Sequence, residues 1–212
     1  MSRVAIMSGG TLPEEDSFFA SIFPDYPFHV AVDMGMNVFH RLNKKPDVLI
    51  GDLDSICPKI QIDDIKLHQF PRDKDKSDTE LAIDFCIEEG WEYIDILGGI
   101  GDRLDHTLAN AYLLTYAHKR CKQIRLRNAQ NTIYLLNGEN ALSLYGNIGD
   151  TISIIPITSE LQKLNIRGCR WDVTDTKIQR GQSRGLSNYL TNNHAHISAE
   201  NGMAFVFHLH QK

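Results

Sequence analysis

The residues with the most chemical content are acidic, and they gather in short loops. In Pro46-Asp47-Val48-Leu49-Ile50-Gly51-Asp52-Leu53-Asp54-Ser55 a strand-like run reaches Gly51, and Asp52 and Asp54 follow at i and i+2. In extended chain those two side chains point to the same side. Two carboxylates so placed repel unless a cation lies between them, and a set of oxygen ligands suits Mg²⁺. Taken alone, the pair also fits a solvated acidic turn.

Two further loops carry related chemistry. Asp73-Lys74-Asp75-Lys76-Ser77-Asp78 alternates acid and base ahead of a helical pattern, and backbone N–H groups at a helix start favour phosphate. Capping explains Ser77 and Glu80, and the helix dipole explains Asp78. In Gly98-Gly99-Ile100-Gly101-Asp102-Arg103-Leu104-Asp105-His106 the glycines let a polyphosphate approach the backbone, and Arg103 can grip phosphate oxygens with two parallel bonds. This loop completes neither GxGxxG nor the Walker A pattern GxxxxGK[ST], so no dinucleotide or P-loop motif supports the chemistry. Three successive loops nevertheless carry glycine or carboxylate, the second and third together with a base, a coincidence no single loop provides.

The elements that must position these loops come from hydrophobic periodicity. Val4–Met7, Phe28–Val32, Val48–Ile50, Lys66–Phe70 and Tyr93–Leu97 read as strands, several of them continuously apolar as buried parallel strands tend to be. Between them, Asp78–Glu88 places Leu81, Ala82, Phe85 and Cys86 on one helical face, and Leu104, Leu108, Ala111 and Leu114 define a second. Strand–helix alternation predicts an α/β domain with a mostly parallel sheet over residues 1–130. In such sheets, ligands bind at the carboxyl ends of the strands, where the acidic loops would lie.

From about Asn131 the helical period disappears. Thr132–Leu136, Ala141–Tyr145, Thr151–Pro156, Arg184–Ser187, His194–Ala199 and Met203–Leu209 are short runs separated by turn-forming Asn-Gly and Gly-Asn pairs. Met203, Phe205, Phe207 and Leu209 alternate with Ala204, Val206, His208 and His210, the period of a sheet with one buried face. Residues 131–212 therefore read as a small antiparallel all-β domain.

Composition narrows the partners. The 212 residues carry a net charge of −5, with no basic face spread along an element, which argues against nucleic acid or an anionic membrane surface. No apolar run approaches the ~20 residues that span a bilayer. The opening run is one strand long, too short for a signal peptide, and the four cysteines form no CxxC; the expectation is reduced thiols in a cytosolic chain.

Taken together, the three loops resemble the thiamine pyrophosphokinase family. Its pattern runs approximately GD-x-DS, then KD-x-TD near a helix start, then GG-x-GGR-x-DH. Here these read Gly51-Asp52-Leu53-Asp54-Ser55, Lys74-Asp75-Lys76-Ser77-Asp78 and Gly98-Gly99-Ile100-Gly101-Asp102-Arg103-Leu104-Asp105-His106, and the likeness extends through Arg184-Gly185-Leu186-Ser187-Asn188. The departures are local. Ser77 stands for Thr, Asp102 for Gly, and Val32-Asp33-Met34-Gly35-Met36 for the usual ADGGA. The resemblance implies a Rossmann-like catalytic domain, a C-terminal β-sandwich that binds thiamine, and a homodimer with sites near the subunit interface. It further implies Mg²⁺ held by Asp52, Asp54 and Asp78, with Asp33 and Asp75 close by. Lys74, Gly98, Gly99, Gly101 and Arg103 would face ATP, and Trp171, Ser187 and Asn188 would face thiamine. Thiamine's hydroxyl would attack the β-phosphorus of ATP with AMP leaving, and Asp105 is the candidate to orient or deprotonate that hydroxyl.

Other readings remain open at this point: a different Mg²⁺-dependent phosphotransferase or nucleotide hydrolase, or a nucleotide-binding module without catalysis. The pairs His194/His196 and His208/His210 could suggest a metal site. An exposed strand face explains them instead, because no Cys or carboxylate completes a set at ligand spacing.

Overall fold

A computed structural model of the chain describes residues 2–10, 15–52, 56–57, 60, 62, 64–71, 73 and 75–211. Asp54 and Lys74 lie outside the described residues, as do Leu53 and Ser55. The chain divides into two compact units, Met1–Ala129 and Gln130–Lys212.

The first unit runs β1 (Val4–Met7), α1 (Asp16–Ile22), β2 (Phe28–Val32), α2 (Gly35–Arg41), β3 (Val48–Gly51), β4 (Lys66–Gln69), α3 (Asp78–Glu88), β5 (Tyr93–Leu97), α4 (Leu104–Ala117) and β6 (Gln123–Arg127). Its strands pair in parallel in the order β4-β3-β2-β1-β5-β6. Every residue of β1 and β3 is buried, which is why their sequences are continuously apolar rather than alternating. The chain steps outward from β1 to β4 and then restarts on the other side of β1. The switch point, where such sheets form ligand crevices, is therefore between β1 and β5.

Helix α3 begins as its capping pattern predicts, with the Ser77 hydroxyl accepting the Glu80 N–H at 3.2 Å. Helix α4 corrects the sequence expectation. Ala111, Leu114 and Ala117 are buried, but Leu104 is 77% and Leu108 54% exposed. Two of the four expected residues, Ala111 and Leu114, are buried and are joined by Ala117, while the first two turns of α4 project Leu104 and Leu108 outward.

The second unit contains β7 (Asn131–Asn137), β8 (Ala141–Tyr145), β9 (Thr151–Pro156), β10 (Glu160–Arg167), β11 (Val173–Gln179), β12 (Asn188–Tyr189), β13 (His194–Ser198) and β14 (Met203–Leu209). They form two antiparallel sheets, β12-β9-β14-β7 and β11-β10-β13-β8. Leu136, Ile152, Ile154 and Val206 from one meet Leu142, Leu144, Ile166 and Ile197 from the other in a shared core, a sandwich arrangement.

Two strands here carry no sequence signal and two expectations fail. Strand β10 escapes the period-two pattern because its register shifts between Leu161 and Leu164 and again before Ile166, with Lys163 at φ 51°; a bulge displaces the apolar residues from strict alternation. Its partner β11 buries only Ile178 and so reads as a polar loop. Arg184–Ser187 is turn rather than strand, and pairing starts at Asn188. Strand β14 is buried on both faces, since Phe205 is covered as well as Ala204, Val206 and His208.

Candidate functional site

Parallel pairing brings the carboxyl ends of β1 to β5 to one edge of the first unit, and the acidic and glycine loops leave from that edge. Asp33 follows β2 in a left-handed conformation, φ 43°, uncommon for a residue with a side chain and typical of over-determined functional positions. Its N–H donates to Ile50 O at 3.1 Å and its carbonyl accepts from Met36 N–H at 3.0 Å, so the turn is tied both to β3 and to α2. The next strand ends at Gly51, φ 147°. A Cβ there would lie 1.7 Å from Asp33 Oδ1, so the Asp33 carboxylate rests on the bare Gly51 Cα. Asp52 follows directly and is half-buried.

Asp78 enters the same edge from α3, where it is the first helical residue and half-buried. The helix is fixed by the Ser8 hydroxyl at the end of β1, 2.9 Å from the Thr79 hydroxyl. Asp75 is exposed. Lys76 is drawn away from the edge, its ammonium donating to Asp84 at 2.6 Å and to the Tyr116 hydroxyl at 3.2 Å. Among the described residues, Asp33, Asp52 and Asp78 do not converge as a closed three-ligand group, since the one set whose ligand atoms all lie within 4.8 Å is elsewhere, at Asp150, His208 and His210. An open set of carboxylates fits Mg²⁺, which takes one or two carboxylates and completes its shell with water and substrate phosphates.

The glycine loop after β5 packs backbone to backbone with the loop after β1, at the switch point. Gly10 N–H donates to Gly98 O at 2.9 Å, and a Cβ on Gly101 would lie 2.1 Å from Gly10 O. From α4, the Thr107 hydroxyl accepts the Gly101 N–H at 3.1 Å and the Asn110 amide donates to Gly99 O at 2.9 Å. Arg103 and Asp105 are both exposed and form a forked pair, with Nη2 to Oδ2 at 2.7 Å and Nε to Oδ1 at 3.3 Å. The hydrogen bond from Arg103 pulls the Asp105 carboxyl down to about 2. A carboxylate so acidic is a weak proton acceptor at neutral pH. Its geometry suits aiming the Arg103 fork. Ser8, Thr79, Thr107 and Asn110 went unnoticed in the sequence, where the only signal was a polar side chain interrupting or bordering an apolar run.

In the second unit Trp171 and Asn188, 17 residues apart, are brought together. The Asn188 Oδ1 accepts the Trp171 N–H at 3.0 Å, and its Nδ2 donates to Trp171 O at 2.9 Å. Oδ1 also accepts the Tyr189 N–H at 3.0 Å. Asn188 is buried, and this clasp occupies both ends of its amide. Trp171 is 57% exposed, so it is not a core residue, and its ring meets Tyr189 edge-on at 5.6 Å. Ser187 is exposed at φ 61° and its N–H donates to Ser153 Oγ at 3.0 Å. An exposed indole braced by a second ring is a face on which a planar cation can stack.

Comparison with known proteins follows these geometries. A family described as thiamin pyrophosphokinase, catalytic domain, matches residues 19–126, and one described as thiamin pyrophosphokinase, vitamin B1 binding domain, matches residues 139–204. A thiamine pyrophosphokinase of Bacillus subtilis (strain 168) is 29% identical over 97% of this chain and 98% of its own length. A thiamin pyrophosphokinase of Caenorhabditis elegans is 24% identical over 86% and 79%. A crystal structure of the Bacillus subtilis protein superposes with a TM-score of 0.86 at 24% identity and full coverage of both chains. One from Candida albicans gives 0.76 at 15% identity, covering 98% of this chain and 89% of the other.

Proposed function

The chain belongs to the thiamine pyrophosphokinase family, and on that premise we propose how it carries the pyrophosphoryl group of ATP to the hydroxyl of thiamine, giving thiamine diphosphate and AMP. The observation that carries the assignment of roles is the seating of Asp33 on Gly51 where β2 and β3 end. It sets a carboxylate beside Asp52 on the sheet edge where α/β folds bind ligands. Asp52 and Asp78, with Asp54 from the same acidic loop, would hold Mg²⁺, and Asp33 and Asp75 would border it. Bound there, the ion would offset the negative charge that develops on the phosphate oxygens during transfer.

The remaining work falls to the chain itself. The glycines at 98, 99 and 101 shape the loop that would face the polyphosphate, Gly99 and Gly101 by letting it pack against Leu126 and Gly10, and Lys74 and Arg103 contribute positive charge to it. Asp105 orients the Arg103 guanidinium, and its low pKa argues for positioning rather than proton removal. Trp171 offers thiamine its exposed face, Asn188 holds Trp171 in place through the main chain, and Ser187 borders the same surface.

The family reading also brings a homodimer and a cytosolic location. The exposed Leu104, Leu108 and Tyr112 on α4 form an apolar row suited to a second copy, and the free thiols Cys57, Cys86, Cys121 and Cys169 suit a reducing compartment. Sedimentation equilibrium tests the dimer. For the reaction, the protein is incubated with MgATP and thiamine and the nucleotides are separated by ion exchange. AMP should form in equal amount to thiamine diphosphate and stop with EDTA. ADP with thiamine monophosphate would overturn the pyrophosphoryl assignment.

A further inference from the structure

The second unit contains a buried polar cluster that the transfer reaction does not use. Asp150 ends the turn before β9, His208 lies on β14, and His210 follows one residue past its end. Near in sequence, no third ligand accompanies either histidine pair. The fold supplies one from 58 residues upstream. His208 Nε2 lies 2.9 Å from Asp150 Oδ2, His210 Nδ1 lies 3.6 Å from the same oxygen, and the three ligand atoms all fall within 4.8 Å of one another. His194 and His196, by contrast, are exposed as expected.

We propose that Asp150, His208 and His210 form a binding site for a Zn²⁺-class transition-metal ion that fastens the C-terminal strand to the turn before β9. Donor atoms of a tetrahedral zinc site stand about 3.4 Å apart when each bond is ~2.1 Å, and the observed separations bracket that value. Two imidazole nitrogens and one carboxylate oxygen select zinc and its neighbours over Mg²⁺.

Two independent observations point to a cation here. First, Asp150 is fully buried, and among the described residues its ion-pair partners are these two histidines, not a lysine or arginine. A buried carboxylate requires a positive partner. Second, the outer contacts of Asp150 and His210 are those of ligands, while the buried His208 Nδ1 has no hydrogen-bond partner among the described residues. Gln211 N–H donates to Asp150 Oδ1 at 2.9 Å, Asn147 N–H donates to Oδ2 at 3.0 Å, and His210 Nε2 is 3.0 Å from the Thr132 hydroxyl. In the tautomer whose Nε2–H donates to Thr132, His210 presents an Nδ1 lone pair that a cation can take. Gly146 closes one side, where a Cβ would lie 2.5 Å from Asp150 Oδ2. The half-buried His210 leaves the approach on the other.

The test uses the full-length protein, stripped with chelator and titrated with Zn²⁺ by calorimetry and with Co²⁺ by visible absorption, in excess Mg²⁺. One equivalent should bind, Co²⁺ should show the intense absorption of a tetrahedral site, and melting should shift upward with metal. His210→Ala, which removes a partly exposed side chain, and Asp150→Asn, which retains its shape, should each weaken binding at least tenfold and abolish the shift. No binding by the unaltered protein, or binding of equal strength in both variants, would overturn the site.

Discussion

Asp95 and Asp52 are both aspartates of the parallel sheet, and the molecule treats them oppositely. Asp95 sits inside β5, fully buried, and receives Arg3 Nη1 at 2.9 Å, Arg125 Nε at 2.7 Å and the Tyr26 hydroxyl at 2.6 Å. Burial alone would raise its pKa, but the hydrogen bonds and charge of Arg125 and Arg3 overcome that and lower it. Asp52 stands just past the end of β3, half-buried, on the edge where substrate phosphates would arrive. The same contrast recurs in the β unit, where the Asn188 amide is occupied by backbone partners while the Trp171 it holds is exposed. A polar group that the protein satisfies internally contributes to folding. One presented at a strand end or loop is available to a ligand.

The contrast can be broken most directly at Asp95. Asp95→Ala leaves the partly buried Arg3 and Arg125 without their counter-charge and should cost about 3–5 kcal/mol of stability, read from urea unfolding. Its folded pKa lies below the unfolded value, so its stabilisation is present above the ordinary carboxylate range, near pH 4, and fades as pH falls through the folded value. Asp95→Asn should therefore flatten the acid limb of the stability profile. If Asp95→Ala unfolds at the same urea concentration as the parent, the buried network is not structural.

Next in size is the opposite signature at the strand end. Asp52→Asn and Asp54→Asn should each reduce kcat by roughly 100-fold or more, as losses of charge stabilisation do. The melting temperature should stay level or rise, because nearby carboxylates repel without a cation. Near-normal turnover in either variant would remove that residue from the metal site.

Trp171→Ala should raise the KM for thiamine by about 2- to 30-fold, the equivalent of a cation–π contact of ~0.5–2 kcal/mol, and leave the KM for ATP nearly unchanged. Equal rises in both constants, with a lowered melting temperature, would assign the indole to packing instead. The smallest effect is expected in the pH profile of Asp105→Asn. With Asp105 already ionised above about pH 3, given its pKa near 2, the variant should lower kcat but retain the acid limb of the rate profile. Loss of that limb would restore Asp105 as the proton acceptor.

Much of the first unit was legible from local pattern. Continuous apolar runs marked β1 and β3, largely apolar ones marked β2 and β5, Ser77 and Glu80 marked the start of α3, and glycine with carboxylate marked the loops. These features depend on neighbours within a few residues, so the sequence by itself determined them. The bulge in β10 hid a strand by shifting Leu161 and Leu164 out of phase. Helix α4 exposed Leu104 and Leu108 because burial depends on what each face meets, which no helical period specifies. The tertiary structure alone decided which polar groups became partners. Arg3, Tyr26 and Arg125 reach Asp95 across parallel strands, Asn188 reaches back to Trp171, and Asp150 meets His208 through antiparallel pairing of β9 with β14. Such contacts join residues up to 92 positions apart, and their distances are set by sheet order and register. Those follow from packing the whole chain, since periodicity records which way a side chain points and carries no information about what will be there to meet it.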